Sequence, residues 1–144
     1  MYNSILVPHD GSDHAALAVE LATTLLTGSA PKLHLLNVPE VAPGTTELRY
    51  WKGMLVDGEP SEIERRAIEL LNAAEQSITR TDLDVRKDVF WIPPAQAILR
   101  QAKELAVDAI VMGSRGRSDL AGLVLGSVSH RVLHTAPCRV ILIR

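Results

Sequence analysis

Short apolar runs alternate along the chain with stretches of helical periodicity. Ile5-Leu6-Val7 stops at Pro8 and reads as a first strand buried on both faces, as parallel strands are. His9-Asp10-Gly11-Ser12 is a turn in which Ser12 or Asp10 can cap the next helix. Residues 13–27 carry Leu17, Leu21 and Leu25 with Ala15, Ala18 and Ala22, a broad helical stripe that Gly28 is expected to end. Lys32 to Val38 reads as the second strand. The spacing of Ile63, Ala67, Leu70, Leu71, Ala74 and Ile78 predicts a second helix, opened by the capping box Ser61-Glu62-Ile63-Glu64. Asp84 to Phe90 alternates weakly and suits a strand near the sheet edge. Pro93-Pro94 opens a third helix with the stripe Ile98, Leu99, Ala102, Leu105 and Ala106. Asp108-Ala109-Ile110-Val111-Met112 is a fourth, buried strand. A helix over residues 128–134 follows, then Pro137, then a last strand from Cys138 to Ile143.

This order predicts an α/β fold: a doubly wound, five-stranded parallel sheet with helices on both faces, Rossmann-like, in one domain spanning residues 1–144. Such sheets take ligands beyond the carboxyl ends of the strands, where the strand order reverses. Here that point lies between the first and fourth strands, at Pro8-His9-Asp10 and Met112 to Gly116. Residues 39–60 break the rhythm with three prolines and three glycines, and read as a lid or mobile excursion. Tyr50, Trp51, Met54 and Leu55 would pack there on the parent domain, a ligand or a partner.

Composition narrows the class. Hydrophobic residues make up 47% of the chain and aromatics only 3%, so the core is built from Leu, Val, Ile and Ala. A formal net charge of −2 gives no global attraction to nucleic acid or anionic membrane. Cys138 is the only cysteine, which excludes an internal disulfide and a multi-cysteine zinc site, and it reads as a small buried apolar residue. The N-terminus lacks a secretory pattern, and no apolar run approaches the ~20 residues that cross a bilayer. The expectation is a cytoplasmic protein with no membrane insertion.

The chemistry concentrates at Gly113-Ser114-Arg115-Gly116, then nine residues, then Gly126-Ser127-Val128-Ser129. Glycines let backbone N–H groups approach an anion, and a helix's first turn offers unpaired donors at a positive dipole end. A strand ending in glycines, followed by a helix beginning at Gly-Ser, is a place to hold phosphate; otherwise Gly126-Ser127 is an ordinary helix start. Pro8-His9-Asp10-Gly11-Ser12 is not a dinucleotide fingerprint. No lysine lies between Gly113 and Arg144, which excludes a P-loop. A nucleophile elbow is absent, and Trp91-Ile92-Pro93 stands where a phosphoacceptor aspartate would follow the third strand. His130 and His134 lie one helical turn apart, but with no third ligand they read as surface histidines.

The glycine spacing, the opening Ile5-Leu6-Val7-Pro8 with Asp10-Gly11-Ser12, the stretch Ala109 to Ser118, Leu125 to Ser129, and the ending His134-Thr135-Ala136-Pro137-Cys138 together resemble the universal stress protein family, in its ATP-binding branch. Trp91-Ile92-Pro93-Pro94 departs from the Gly-x-Pro turn usual before the third helix. The resemblance implies ATP as ligand, with Pro8 and Asp10 at the ribose or adenine edge and Val38 and Met112 lining the adenine slot. Gly113, Arg115 and Gly116 would wrap the ribose and phosphates, and Gly126, Ser127, Val128 and Ser129 would give the phosphates backbone N–H groups and hydroxyls. Arg115 and Arg117 are the nearby cations, and Asp10 and Asp13 are candidate Mg²⁺ ligands. The loop offers no lysine for the γ-phosphate, so slow hydrolysis at most is expected, and a slow ATP hydrolase or phosphotransferase is the alternative to a regulatory binder. The resemblance also implies a homodimer joined through the last strand, and a protein partner such as a regulated transporter or enzyme.

Overall fold

In a computed structural model of the chain, residues 1–39, 62–116 and 125–144 are described. The chain runs β1 (Ser4–Pro8), α1 (Asp13–Leu25), β2 (Lys32–Asn37), α2 (Glu62–Gln76), β3 (Asp84–Val89), α3 (Pro94–Glu104), β4 (Ala109–Gly113), α4 (Ser127–Thr135) and β5 (Arg139–Ile143). The five strands form one parallel sheet in the order β3-β2-β1-β4-β5. The order reverses between β1 and β4, as the element pattern predicts.

Successive strand residues point to opposite faces, so each central strand feeds two cores. Ile5, Val7, Leu33, Leu35, Ala109 and Val111 pack with α1 and α2 through Ala18, Val19, Ala22, Leu71 and Ala74. Leu6, Leu36, Ile110 and Met112 pack with α3 and α4 through Ala97, Ile98, Ala102 and Val132. This explains why the central strands read as continuous apolar runs, while β3, exposed along one edge, alternates.

Several local expectations shift. The inner face of α1 is Ala15, Ala18, Val19 and Ala22, whereas Leu17 is 48% exposed. Small side chains let the helix lie close on the sheet and turn the larger Leu17 outward. Ile63 is likewise exposed on α2. α1 ends before Gly28: Leu26 leaves the helix in an extended conformation, and its N–H still reaches the Ala22 carbonyl. Arg80 stands over this end and donates Nη1 to the carbonyls of Thr23 and Leu26. Ala106 is not part of the α3 stripe; it is exposed and adopts φ 48°, turning the chain from helix to strand. Ser61, half of the expected capping box, and the apolar residues of the 39–60 stretch apart from Pro39 lie outside the described residues.

Candidate functional site

The carboxyl end of β1 is pinned to β2 and then turned sharply. His9 N–H donates to the Leu36 carbonyl at 2.8 Å, and Asn37 Nδ2 donates to the His9 carbonyl at 2.8 Å. Gly11 adopts φ 85°, a conformation open to glycine at no steric cost. Its N–H donates to His9 Nδ1 at 3.1 Å, which fixes a neutral imidazole with its proton on Nε2. Burial holds the His9 pKa below the usual histidine value, and the neighbouring Asp10 charge partly offsets that. Asp10 Oδ1 accepts from Ser12 N–H at 2.9 Å, and Ser12 Oγ accepts from Ala15 N–H at 3.2 Å. Ser12 is therefore the cap of α1, and Asp10 shapes the turn before it.

The carboxyl end of β4 is stitched to the start of α4. Ser114 N–H donates to the Ile143 carbonyl at 2.7 Å, and the Ser114 carbonyl accepts from Gly126 N–H at 2.7 Å. Ser129 Oγ donates to the Gly113 carbonyl at 2.8 Å. Ser129 is 2% exposed, and its hydroxyl braces the end of β4 from within the protein. The backbone groups are another matter. The first hydrogen bond closing α4 runs from His130 N–H to the Gly126 carbonyl at 2.9 Å, and no side chain caps the helix at Gly126. Ser127, Val128 and Ser129 are thus the first-turn residues, whose N–H groups have no acceptor within the helix. Ser129→Ala should cost about 1–2 kcal/mol in chemical denaturation, the range for a buried carbonyl losing its donor.

The two ends face a gap between strands. β1 pairs with β2 as far as Pro8↔Leu36, and β4 pairs with β5 as far as Gly113↔Ile143. The ladder between β1 and β4 runs over Ile5↔Ala109 and Leu6↔Ile110 only, among the described residues. Beyond it the two strands part. α1 enters the same place: a Cβ on Gly113 would stand 3.0 Å from His14 Cβ and 3.2 Å from the Arg115 carbonyl. The glycine allows the first turn of α1 to sit against the end of β4.

The sequence-selected residues fall at this end of the sheet. Pro8 and Asp10 close β1, Met112 and Gly113 close β4, Arg115 and Gly116 continue the β4 loop, and Gly126, Ser127, Val128 and Ser129 open α4. Val38 follows β2 and, with Val128, packs against the α3–α4 core that includes Met112. Arg115 is half-buried and Gly116 exposed; Arg117 lies outside the described residues. His130 and His134 are exposed on α4 with ring centroids 4.5 Å apart. The described residues contain no group of three or more metal-ligating side chains. Asn37, whose side chain holds the end of β1, is not among the residues the sequence points to; a polar residue just inside an apolar strand end was the available signal.

These elements define a doubly wound parallel α/β protein, a class whose ligands sit where the strand order turns. The universal stress protein family model matches residues 1–144. The chain is 33% identical over 148 residues to the universal stress protein YxiE of Bacillus subtilis, with both chains fully covered. A universal stress protein structure from Archaeoglobus fulgidus superposes with a TM-score of 0.74 at 24% identity, covering all of both chains. Two nucleotide complexes share the fold: an Archaeoglobus fulgidus universal stress protein with dAMP (TM-score 0.69, 21% identity, 99% and 98% covered) and a universal stress protein with cAMP (TM-score 0.69, 24% identity, 99% and 97% covered). The chain belongs to the universal stress protein family. No described helix is long and apolar enough to cross a membrane.

Proposed function

We propose that this protein binds ATP where β1 and β4 part and acts as a cytoplasmic regulator through loop conformation, assembly or a protein partner. The observation that carries the reading is the uncapped first turn of α4, held against the end of β4 by the Gly126–Ser114 and Ser129–Gly113 hydrogen bonds. Three N–H donors at a positive helix end suit a polyphosphate. Family relatives in complex with dAMP and cAMP support an adenine nucleotide. Met112 and Val38 would flank the base, Asp10 would accept from the ribose, and Arg115 would approach the phosphates. Mg²⁺ commonly uses one or two carboxylates plus phosphate oxygens, and Asp10 and Asp13 are the carboxylates nearest in sequence. Phosphoryl transfer wants a cation on the γ-phosphate and a positioned water. The loop has no lysine for that role, so the nucleotide would act mainly as a ligand that biases a conformational equilibrium. β5 is an edge strand of the sheet, which supports pairing with a second copy.

Calorimetry with ATP and purified protein tests the reading. Saturable binding at one site per chain, with slow or no multiple-turnover phosphate release, is the expected result. No heat with any adenine nucleotide sinks the ATP assignment, and rapid turnover replaces regulation by hydrolysis.

A further inference from the structure

A second concavity lies at the opposite end of the sheet, about 15 Å away by the rise of a five-residue strand. Its volume is about 350 Å³, at the lower end of small-molecule sites. Topology creates it. α3 crosses from β3 to β4 over β1 and packs on α4, so the amino halves of β2 and β3 on that face lie beside its C-terminal turn. Ser4, Ser29, Lys32, His34 and Arg86 line the space, and Leu105 at the end of α3 gives it an apolar wall.

The lining is unusual for a surface dent. His34 is 4% exposed, yet it stands in the middle of a strand among Leu33, Leu35 and Leu36. Its Nε2 pairs with Ser4 Oγ at 3.1 Å, while Nδ1 is buried without a partner among the described residues. A buried ring nitrogen without a partner is costly, which makes this ring an exception among the leucines of β2. The parallel register places Lys32 one pleat below His34 on the same face of β2, and Arg86 directly opposite on β3. Arg86 meets Asp84 Oδ2 through Nε and Nη2 at 3.3 and 3.2 Å, so its Nη1 donors lie outside that pair. Asp108, the other nearby carboxylate, is occupied by the N–H groups of Asn3 and Ser4. The lining therefore offers the Lys32 ammonium, the Arg86 Nη1 donors and two hydroxyls, with the Asp84 charge opposite Lys32 taken up by the Arg86 pair and the Asp108 charge facing the Asn3 and Ser4 N–H groups.

We propose that this amino-end pocket binds a small phosphomonoester, its phosphate between Lys32 and Arg86 and its organic part against Leu105. The ammonium and guanidinium give charge-assisted hydrogen bonds to phosphate oxygens. Ser4 and Ser29 match hydroxyls or the remaining oxygens, and His34 stands behind the Ser4 hydroxyl, so its ring senses what Ser4 binds. The site is separate from the crevice at the carboxyl ends and does not depend on what fills it.

Titration of the full chain with glycerol phosphate, inorganic phosphate and glycerol tests this, read by calorimetry and by the ring resonances of His34. The His34 signals are assigned from the His34→Gln spectrum and, independently, from their contacts to Ser4. Glycerol phosphate is expected to shift them saturably, inorganic phosphate to bind about threefold or more weakly, and glycerol to leave them unmoved. Lys32 is exposed, so Lys32→Glu should stay folded, its thermal midpoint lowered only by repulsion from Asp84 directly opposite on β3, while weakening glycerol phosphate binding about tenfold or more. ATP affinity in that variant should match the parent chain. An unmoved His34 signal at millimolar ligand, equal affinity in Lys32→Glu, or inorganic phosphate binding as tightly as the ester would each overturn the proposal.

Discussion

Acidification from pH 7 to pH 4 is expected to remove about 3 kcal/mol of folding stability through His34 alone. Burial lowers its pKa from 6.5 to about 4; Arg86 and Lys32 push in the same direction, and Asp84 opposes them. Between those two values the unfolded chain takes up a proton that the folded chain refuses. Stability is thus intact above pH 6.5 and drains as pH falls toward 4. His9, also lowered by burial, adds loss of the same sign. Carboxylates titrate over part of this range, so the measurement is a difference. Urea denaturation of the parent and of His34→Gln at pH 7 and pH 4 should show the variant losing about 3 kcal/mol less. Parallel losses would mean that the folded imidazole is not held neutral.

Gly113→Val is expected to weaken ATP binding about 100-fold or more and to cost about 1–3 kcal/mol of stability. Its first added carbon would already stand 3.0 Å from His14 Cβ and 3.2 Å from the Arg115 carbonyl, and valine adds two methyl groups beyond it. Relief requires the end of β4 to move from α1, and the Gly113 carbonyl carries the Ser129 brace of α4 with it. Three walls of the crevice shift together. Gly28→Ala is the control: its Cβ would force the Asn3 side chain to turn away and would stand 3.2 Å from Asn3 Cα, at the amino end of the sheet. That change should lower the melting midpoint without altering nucleotide affinity. If Gly113→Val folds and binds ATP as the parent does, the nucleotide does not sit where β1 and β4 part.

The strands were readable because a strand covered on both faces has no polar alternation to blur. Ile5-Leu6-Val7 and Ala109 to Met112 announced themselves as central, and the mixed character of residues 84–89 announced an edge. Helix faces were less readable. Leu17 looks like core by spacing, but the sheet selects the smaller Ala15, Ala18 and Ala22 for close approach. Ser129 likewise looks like a ligand hydroxyl in a Gly-Ser-Val-Ser run, and its bond to Gly113 becomes visible only when residues 16 positions apart meet.

Sequence alone determined the order of elements, the parallel sheet, its reversal between the first and fourth strands, and the family, because periodicity, glycine spacing and punctuation are local properties of the chain. Tertiary structure alone decided which partners the polar residues find within the chain. It gave Ser12 the cap and Asp10 the turn, turned the Ser129 hydroxyl inward, and placed His34, Lys32 and Arg86 around one hollow. A hydrogen bond or a shared pocket depends on register between strands distant in sequence, and that register is set by the packed sheet.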